Sequence, residues 1–192
     1  PLMAIIRQME QATTVEQLFQ IHLQLVPENF YAFLITNFVA DEKNATQNIL
    51  KVKQSGIGMD QKEYYLDAAT VDIREAYKQT IVKMFRHFGF NEQQASQKMA
   101  NVMHIETELA KVSRTKTELR DPEANYNKMS LAQFNTAYPH IQLEKLMSAM
   151  NVPSECIQEL VVGQPEFCAG ADQLIATMSA DEYRDYMEWI EI

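Results

Sequence analysis

Cysteine is scarce: Cys156 and Cys168 are the only two in 192 residues, and their spacing fits neither a C-x-x-C redox pair nor a zinc ligand set. Isolated cysteines are commonly small buried hydrophobes, a reading preferred here to a disulfide, which would indicate an oxidising compartment. Clustered basic residues are lacking as well. With a formal net charge of −9 and no run of lysine and arginine, the chain offers no footprint for a phosphate backbone. This argues against a nucleic-acid partner and leaves the acidic charge as a matter of solubility. The cleanest apolar runs, such as Phe30 to Ile35, fall far short of the roughly 20 residues that span a bilayer. Residues 1 to 10 show no basic stretch followed by an apolar core and a small-residue cleavage site, so no secretory signal is expected in this chain. That says nothing about where a longer parent would reside. No unit of about 30 to 45 residues recurs, which argues against a helical solenoid.

Catalytic signatures are missing too. Zinc peptidase chemistry of the gluzincin type needs His-Glu-x-x-His on one helix, where residues i and i+4 share a face and the glutamate polarises the metal-bound water. The four histidines are His22, His87, His104 and His140, and no two lie four apart. There is no G-x-S-x-G elbow, and neither cysteine has an adjacent histidine to support a nucleophile. Gly56-x-Gly58 lacks the third glycine, the βαβ surroundings and the lysine of a phosphate-binding loop. The nearest approach to a metal pair is His104 with Glu108, one turn apart. Two ligands without a third make a poor site, and the solvated side of a long helix explains them better. A small metal-dependent hydrolase built on this pair would lose activity in His104→Ala.

What is present reads as an ordinary globular chain, 46% hydrophobic and 22% charged, long enough for one core or two small ones. A chain of this size buries roughly 70% of its unfolded surface. The spacing predicts a short helix around Leu2 to Met9. A second is capped by Thr14 and Gln17 and stopped by Pro27. Residues 28 to 35 suit helix or strand, and Thr36 to Asp41 with Asn48 to Gln54 suit a small hairpin rather than a sheet core. Gly56 and Gly58 mark backbone with a need for positive φ, and Tyr64, Tyr65 and Leu66 are expected to pin that loop to a helix. Thr70 should cap a helix whose Ile73, Ala76, Tyr77, Ile81, Phe85 and Phe88 form a buried stripe ended by Gly89. Asn91 and Gln94 open the next helix, running to about Ser113 with Ala95, Met99, Val102/Met103, Glu106 and Leu109 on successive turns, and the short link makes the two an antiparallel pair. Ser130-x-x-Gln133 and Ser179-x-x-Glu182 read as capping boxes. Between them come a helix from Leu131 to near Pro139, one from Gln142 to Met150, a strand or extended connector over Ile157 to Val162, and a helix from Pro165. Asp181 and Glu182 are explained by the dipole of a first helical turn. Most of the eleven methionines sit at core spacing, as Met84, Met99 and Met147 do, so packing accounts for them better than a methionine-rich binding surface.

Three segments in order carry a family likeness. Arg120-Asp121-Pro122-x-x-x-Tyr126-Asn127-Lys128-Met129-Ser130-Leu131-Ala132-Gln133 resembles the R-x-D-P/Y-N-K-M-[ST]-L-A-Q segment in the non-catalytic region of the neprilysin-like zinc metalloendopeptidases, which include the bacterial PepO enzymes. Gln54-Ser55-Gly56-Ile57-Gly58-Met59 with Glu63-Tyr64-Tyr65-Leu66-Asp67 is similar to that family's Q-x-G-L-G-L-x-x-[RK]-[DE]-Y-Y-L stretch, and Phe38-Val39-Ala40-Asp41-Glu42-Lys43-Asn44 to its F-V-x-x-D-x-K-N. The family's H-E-x-x-H and E-x-x-x-D helices and its N-A-Y-Y substrate strand have no matching positions here, so no catalytic, metal or cofactor residue carries over.

The resemblance implies a mainly α fold, a helical cap with one or two short two-stranded β elements, occupying residues 1 to 192 of a peptidase whose catalytic zinc domain lies outside this chain. It implies zinc in the parent and none in this chain, which alone should be inactive. Its partners would be the catalytic domain of the same parent chain and oligopeptide substrates that enter a closed chamber. Cleavage in the family favours the amino side of hydrophobic residues, a preference set mainly by the domain not present. Arg120, Asp121, Tyr126 and Asn127 are the candidates for ordering a loop on the chamber or interdomain side, although bonding within their own loop explains them equally well. Animal members are rich in disulfides, so two cysteines suit a bacterial one, and the parent's place would be periplasmic, secreted or at the cell envelope. The competing reading is a free-standing α-helical interaction module, which predicts an apolar surface groove.

Overall fold

Local side-chain capping starts the helices at Val15, Glu92, Leu131 and Ala180 in the computed structural model, which describes residues 2–28 and 32–192. Asn29, Phe30 and Tyr31, part of the ambiguous 28 to 35 segment, lie outside the described residues. Helix α1 spans Leu2–Gln11 and α2 Val15–Leu25, where the Thr14 side chain accepts from the Gln17 amide. A short helix α3 (Glu63–Leu66) precedes the long antiparallel pair α4 (Val71–His87) and α5 (Glu92–Val112). Gly89 turns the chain between them at φ 96°, and Asn91 and Gln94 form a complete capping box. Thr70 precedes α4 without capping it, because its hydroxyl donates instead to the Glu63 and Asp67 carbonyls. Helix α6 covers Leu131–Ala137, α7 Leu143–Ala149, α8 Pro165–Thr177 and α9 Ala180–Glu191. Ser130 and Ser179 each complete the expected reciprocal box.

The strands go beyond the expected hairpin. β1 (Leu34–Asp41) and β2 (Asn44–Gln54) are antiparallel, but β2 also pairs in parallel with β4 (Glu159–Val162), which pairs antiparallel with β3 (Asn127–Ser130). One four-stranded mixed sheet, order β1-β2-β4-β3, results. The inner half of β2 is therefore sheet core, with Leu50 and Val52 opposite Leu160 and Val162 and all four buried. The outer half of the hairpin stands in solvent, with Phe38 45% exposed.

Two apolar clusters hold the elements together. The larger joins α1, α2, the sheet and α6 to α9 through residues such as Leu18, Val52, Phe134, Phe167 and Tyr186. The smaller joins α3, α4 and α5 through Tyr65, Ile81, Phe85, Val102 and Met103. The α4 stripe is shorter than its periodicity suggests: Ile81 and Phe85 are buried, whereas Ile73 is 48% exposed. Val71 is likewise 43% exposed, although Arg74 ties this end of α4 to the Tyr64 and Asp67 carbonyls. Cys168 is buried, and burial pushes its thiol up to about 12, while Cys156 is exposed, contrary to the expectation for both cysteines. Both thiols are free. Among the described residues, no helix is long and apolar enough to cross a membrane.

Candidate functional site

The connection from Ser113 to Tyr126 is a loop held by polar groups of its own and of the neighbouring β2 end and β4–α8 turn. Asp121 Oδ1 accepts from the amides of Glu123 and Ala124 at 3.0 and 3.1 Å, the geometry of an Asx turn. Asn125, 5% exposed, donates to the Glu118 and Asp121 carbonyls at 2.8 and 2.6 Å and accepts from Gln164 at 2.6 Å. Arg114 binds the Ala124 and Gly163 carbonyls and the Asn125 side chain, and its guanidinium forks onto Glu166. Gln54 at the end of β2 closes the ring by exchanging hydrogen bonds with the Arg114 backbone.

The four candidates divide. Asp121 serves its own turn. Asn127 Nδ2 donates to the Ala124 and Val162 carbonyls, both at 3.1 Å, tying the loop to the end of β4. Tyr126 reaches outward: its hydroxyl donates to Asp41 Oδ1 at 2.8 Å, and Lys43 Nζ lies 4.6 Å from its ring centroid. It thereby fastens the tip of the β1–β2 hairpin. The Lys43 amide, Tyr126 and Lys128 together hold the Asp41 carboxyl below its ordinary range. Arg120 is exposed and has no polar partner among the described residues. Asn125 and Arg114, the central members, escaped sequence reading because the motif leaves position 125 open and Arg114 precedes it.

A second polar centre lies where α3, α4, α5 and α9 meet. Glu106 is 1% exposed and accepts from the Tyr65 hydroxyl at 2.6 Å and the Tyr77 hydroxyl at 3.1 Å. Tyr65 Oη in turn accepts from the Met59 amide at 2.9 Å, and Tyr77 Oη from the Trp189 indole at 3.0 Å. Burial raises Glu106 to about 7, against the downward pull of the two phenols, the Gly58 amide and Trp189. Gly56 adopts φ 90°, while Gly58 is required by contact, since a Cβ there would lie 2.0 Å from Tyr77 Oη. Tyr65 thus pins the glycine loop to α5 as expected, whereas Leu66 is 43% exposed.

A third centre joins α1, α5 and α9. Lys98 Nζ lies 2.7 Å from Glu10, 2.8 Å from Asp185 and 2.7 Å from Glu188. Burial opposes its charge, but Glu188 and Asp185 outweigh that and raise its pKa, while burial lifts Glu188 to about 8. Glu10, Asp185 and Glu188 are close enough to share a metal ion. They do not fit zinc: the donors are all oxygen, and the Lys98 ammonium already holds the position such an ion would take. His104 and Glu108 do not converge, for His104 faces Glu182 at 3.6 Å and Glu108 pairs with Lys111 at 2.5 Å. An apolar pocket between α2, α7 and Tyr183 has about 40 Å³ of free space, enough for a few waters and too little for an ordinary organic ligand.

Residues 1–191 match the sequence profile of Peptidase family M13, N-terminal region. The chain is 27% identical over 177 residues to human endothelin-converting enzyme 1, covering 89% of this chain and 23% of that protein. It is likewise 27% identical over 178 residues to mouse neprilysin, covering 81% of this chain and 23% of that one. Among solved structures it is similar to the zinc metalloprotease Zmp1 of Mycobacterium tuberculosis in complex with an inhibitor, at TM-score 0.92 and 22% identity, over 100% of this chain and 29% of that chain. It is also similar to PepO from Lactobacillus rhamnosis, at TM-score 0.77 and 17% identity, over 100% and 30%. The chain thus spans about a quarter of the length of the relatives it matches. With a family match over nearly its whole length and the same fold as two bacterial members, this chain belongs to peptidase family M13, in its N-terminal region.

Proposed function

We propose that this chain is the non-catalytic helical cap of a neprilysin-like zinc endopeptidase, whose catalytic domain lies elsewhere in the parent chain. The observation that carries the reading is a family match over residues 1–191 in a sequence without an H-E-x-x-H pair. Zinc and the hydrolytic step belong to that other domain. The cap acts by enclosure: a rigid wall excludes folded proteins, while flexible oligopeptides enter and reach the metal. The ring of Arg114, Asn125 and Gln164 gives the wall a fixed loop, with Asp121, Tyr126 and Asn127 ordering it and Arg120 free to face the chamber or the neighbouring domain. Exposed Leu66, Val71 and Ile73 beside the start of α4 give the remainder of the parent an apolar place to rest.

The test compares the isolated chain with its full-length parent on one cleavable sequence, presented as a short peptide and within a folded protein. The isolated chain should bind no zinc and cleave neither substrate, and the parent should cleave only the peptide. Equal cleavage of the folded substrate by the parent would remove the sieving role. The apolar residues at α4 also suit a free-standing interaction module, and a native gene encoding these residues alone would favour that reading.

A further inference from the structure

The hydrogen bonds around Glu106 have a fixed direction. An amide and an indole can only donate, so the Met59 N–H commits Tyr65 Oη, and the Trp189 N–H commits Tyr77 Oη, to accepting there. Each phenol has one proton, and each spends it on the carboxylate. With the Gly58 amide added, the carboxyl is surrounded by donors that favour its ionised form, although it is only 1% exposed, at the edge of a cleft that it lines with Tyr77. The titratable groups facing it are Tyr65 from α3, Tyr77 from α4 and Tyr186 from α9. His104 on its own helix turns to Glu182 instead.

We infer that Glu106 is a proton switch in which Tyr77 exchanges its role from donor to acceptor, shifting the α4–α5–α9 junction between two hydrogen-bonding states. In the ionised state both phenols donate to the carboxylate. In the protonated state the new carboxyl O–H must point at one of them. It points at Tyr77, whose 3.1 Å bond is longer than the 2.6 Å bond of Tyr65. Tyr77 then turns its own hydrogen into the adjoining cleft of about 350 Å³, lined by Ser55, Gly56, Gly58, Trp189 and Ile190. Water there supplies and removes the proton. The Met59–Tyr65–Glu106 arm is unchanged, so the glycine loop stays attached while the contact with Trp189 alters. This inference concerns the chain itself and stands whether or not the cap reading holds.

Trp189 is the only tryptophan and reports the switch directly. Its emission should change sigmoidally between pH 5.5 and 9 with a midpoint near 7, the value to which burial raises Glu106. The Glu106 carboxyl carbon-13 shift should titrate with the same midpoint. Glu106→Gln, of the same shape, should abolish the emission change. Glu188→Gln should preserve it, which removes the neighbouring carboxyl, raised to about 8, as its source. Tyr77→Phe should silence Trp189 while the Glu106 shift still titrates. A flat emission profile in the native chain, or a transition that survives Glu106→Gln, would overturn the inference. A carboxyl shift titrating near its ordinary value would do the same.

Discussion

Glu106 and Lys98 are the two side chains on which the interior polar structure depends, and they fail in opposite ways. Glu106 has its folded pKa raised from 4.5 to about 7 by burial. A group raised in this way contributes stability that is fully present below its unfolded value and is lost as pH rises through its folded value. The unfolding free energy should therefore fall by roughly 3 kcal/mol between about pH 4.5 and 7 on account of this residue. Urea titrations across that range should show the slope reduced in Glu106→Gln. Lys98, in contrast, is the buried cation among three carboxylates, with Arg184 reaching Glu10 and Asp185 at 3.3 and 3.6 Å from the rim. Lys98→Met leaves buried Asp185 and Glu188 without it, and denaturant unfolding should show a loss of about 3–5 kcal/mol. Sequence spacing drew attention to His104 and Glu108 as a metal pair and gave Glu106, between them, no role beyond its place in the helical repeat. Periodicity shows which face a residue occupies, and Glu106 does stand on the inner face. It cannot show partners such as Tyr65, Tyr77 and Trp189, which come from other helices.

Elements whose ends are set by neighbours in sequence were legible; those set by distant partners were not. The boxes at Asn91, Ser130 and Ser179 need only a residue three places on, and all three form. Ser130→Ala should cost about 1 kcal/mol in thermal or chemical unfolding, since it strips an acceptor from the start of α6. The parallel pairing of β2 with β4 joins residues such as Leu50 and Leu160, and no local pattern announces it. The start of α4 is exposed for the same reason: a stripe reads as buried whether or not another element reaches it. Helix α8 meets α5 at Gly170, where a Cβ would lie 2.7 Å from both Val112 methyl groups. Helix propensity would reward Gly170→Ala by about 1 kcal/mol, but a stiff β-branched neighbour makes the overpacking, about 1–3 kcal/mol, the larger effect. The variant should be less stable than the native chain, and in a Val112→Ala background the same substitution should cost less, because only the Cβ of residue 112, at 3.0 Å, remains against the new methyl group. Equal losses in both backgrounds would show that this contact is not the cause.

At the scale of the whole molecule, composition bounded the class and three ordered segments gave the family. The ring around Asn125 and the fastening of the hairpin by Tyr126 needed the fold, because they bring together residues from loops and strands that sequence order keeps apart. As proposed above, this wall belongs to a zinc peptidase whose chemistry is encoded in the same gene. The most direct measurement is the sequence of the native gene beyond the codon for Ile192. An H-E-x-x-H helix and, further on, an E-x-x-x-D helix are expected in the same reading frame. A stop codon immediately after Ile192 in the native gene would contradict the proposal.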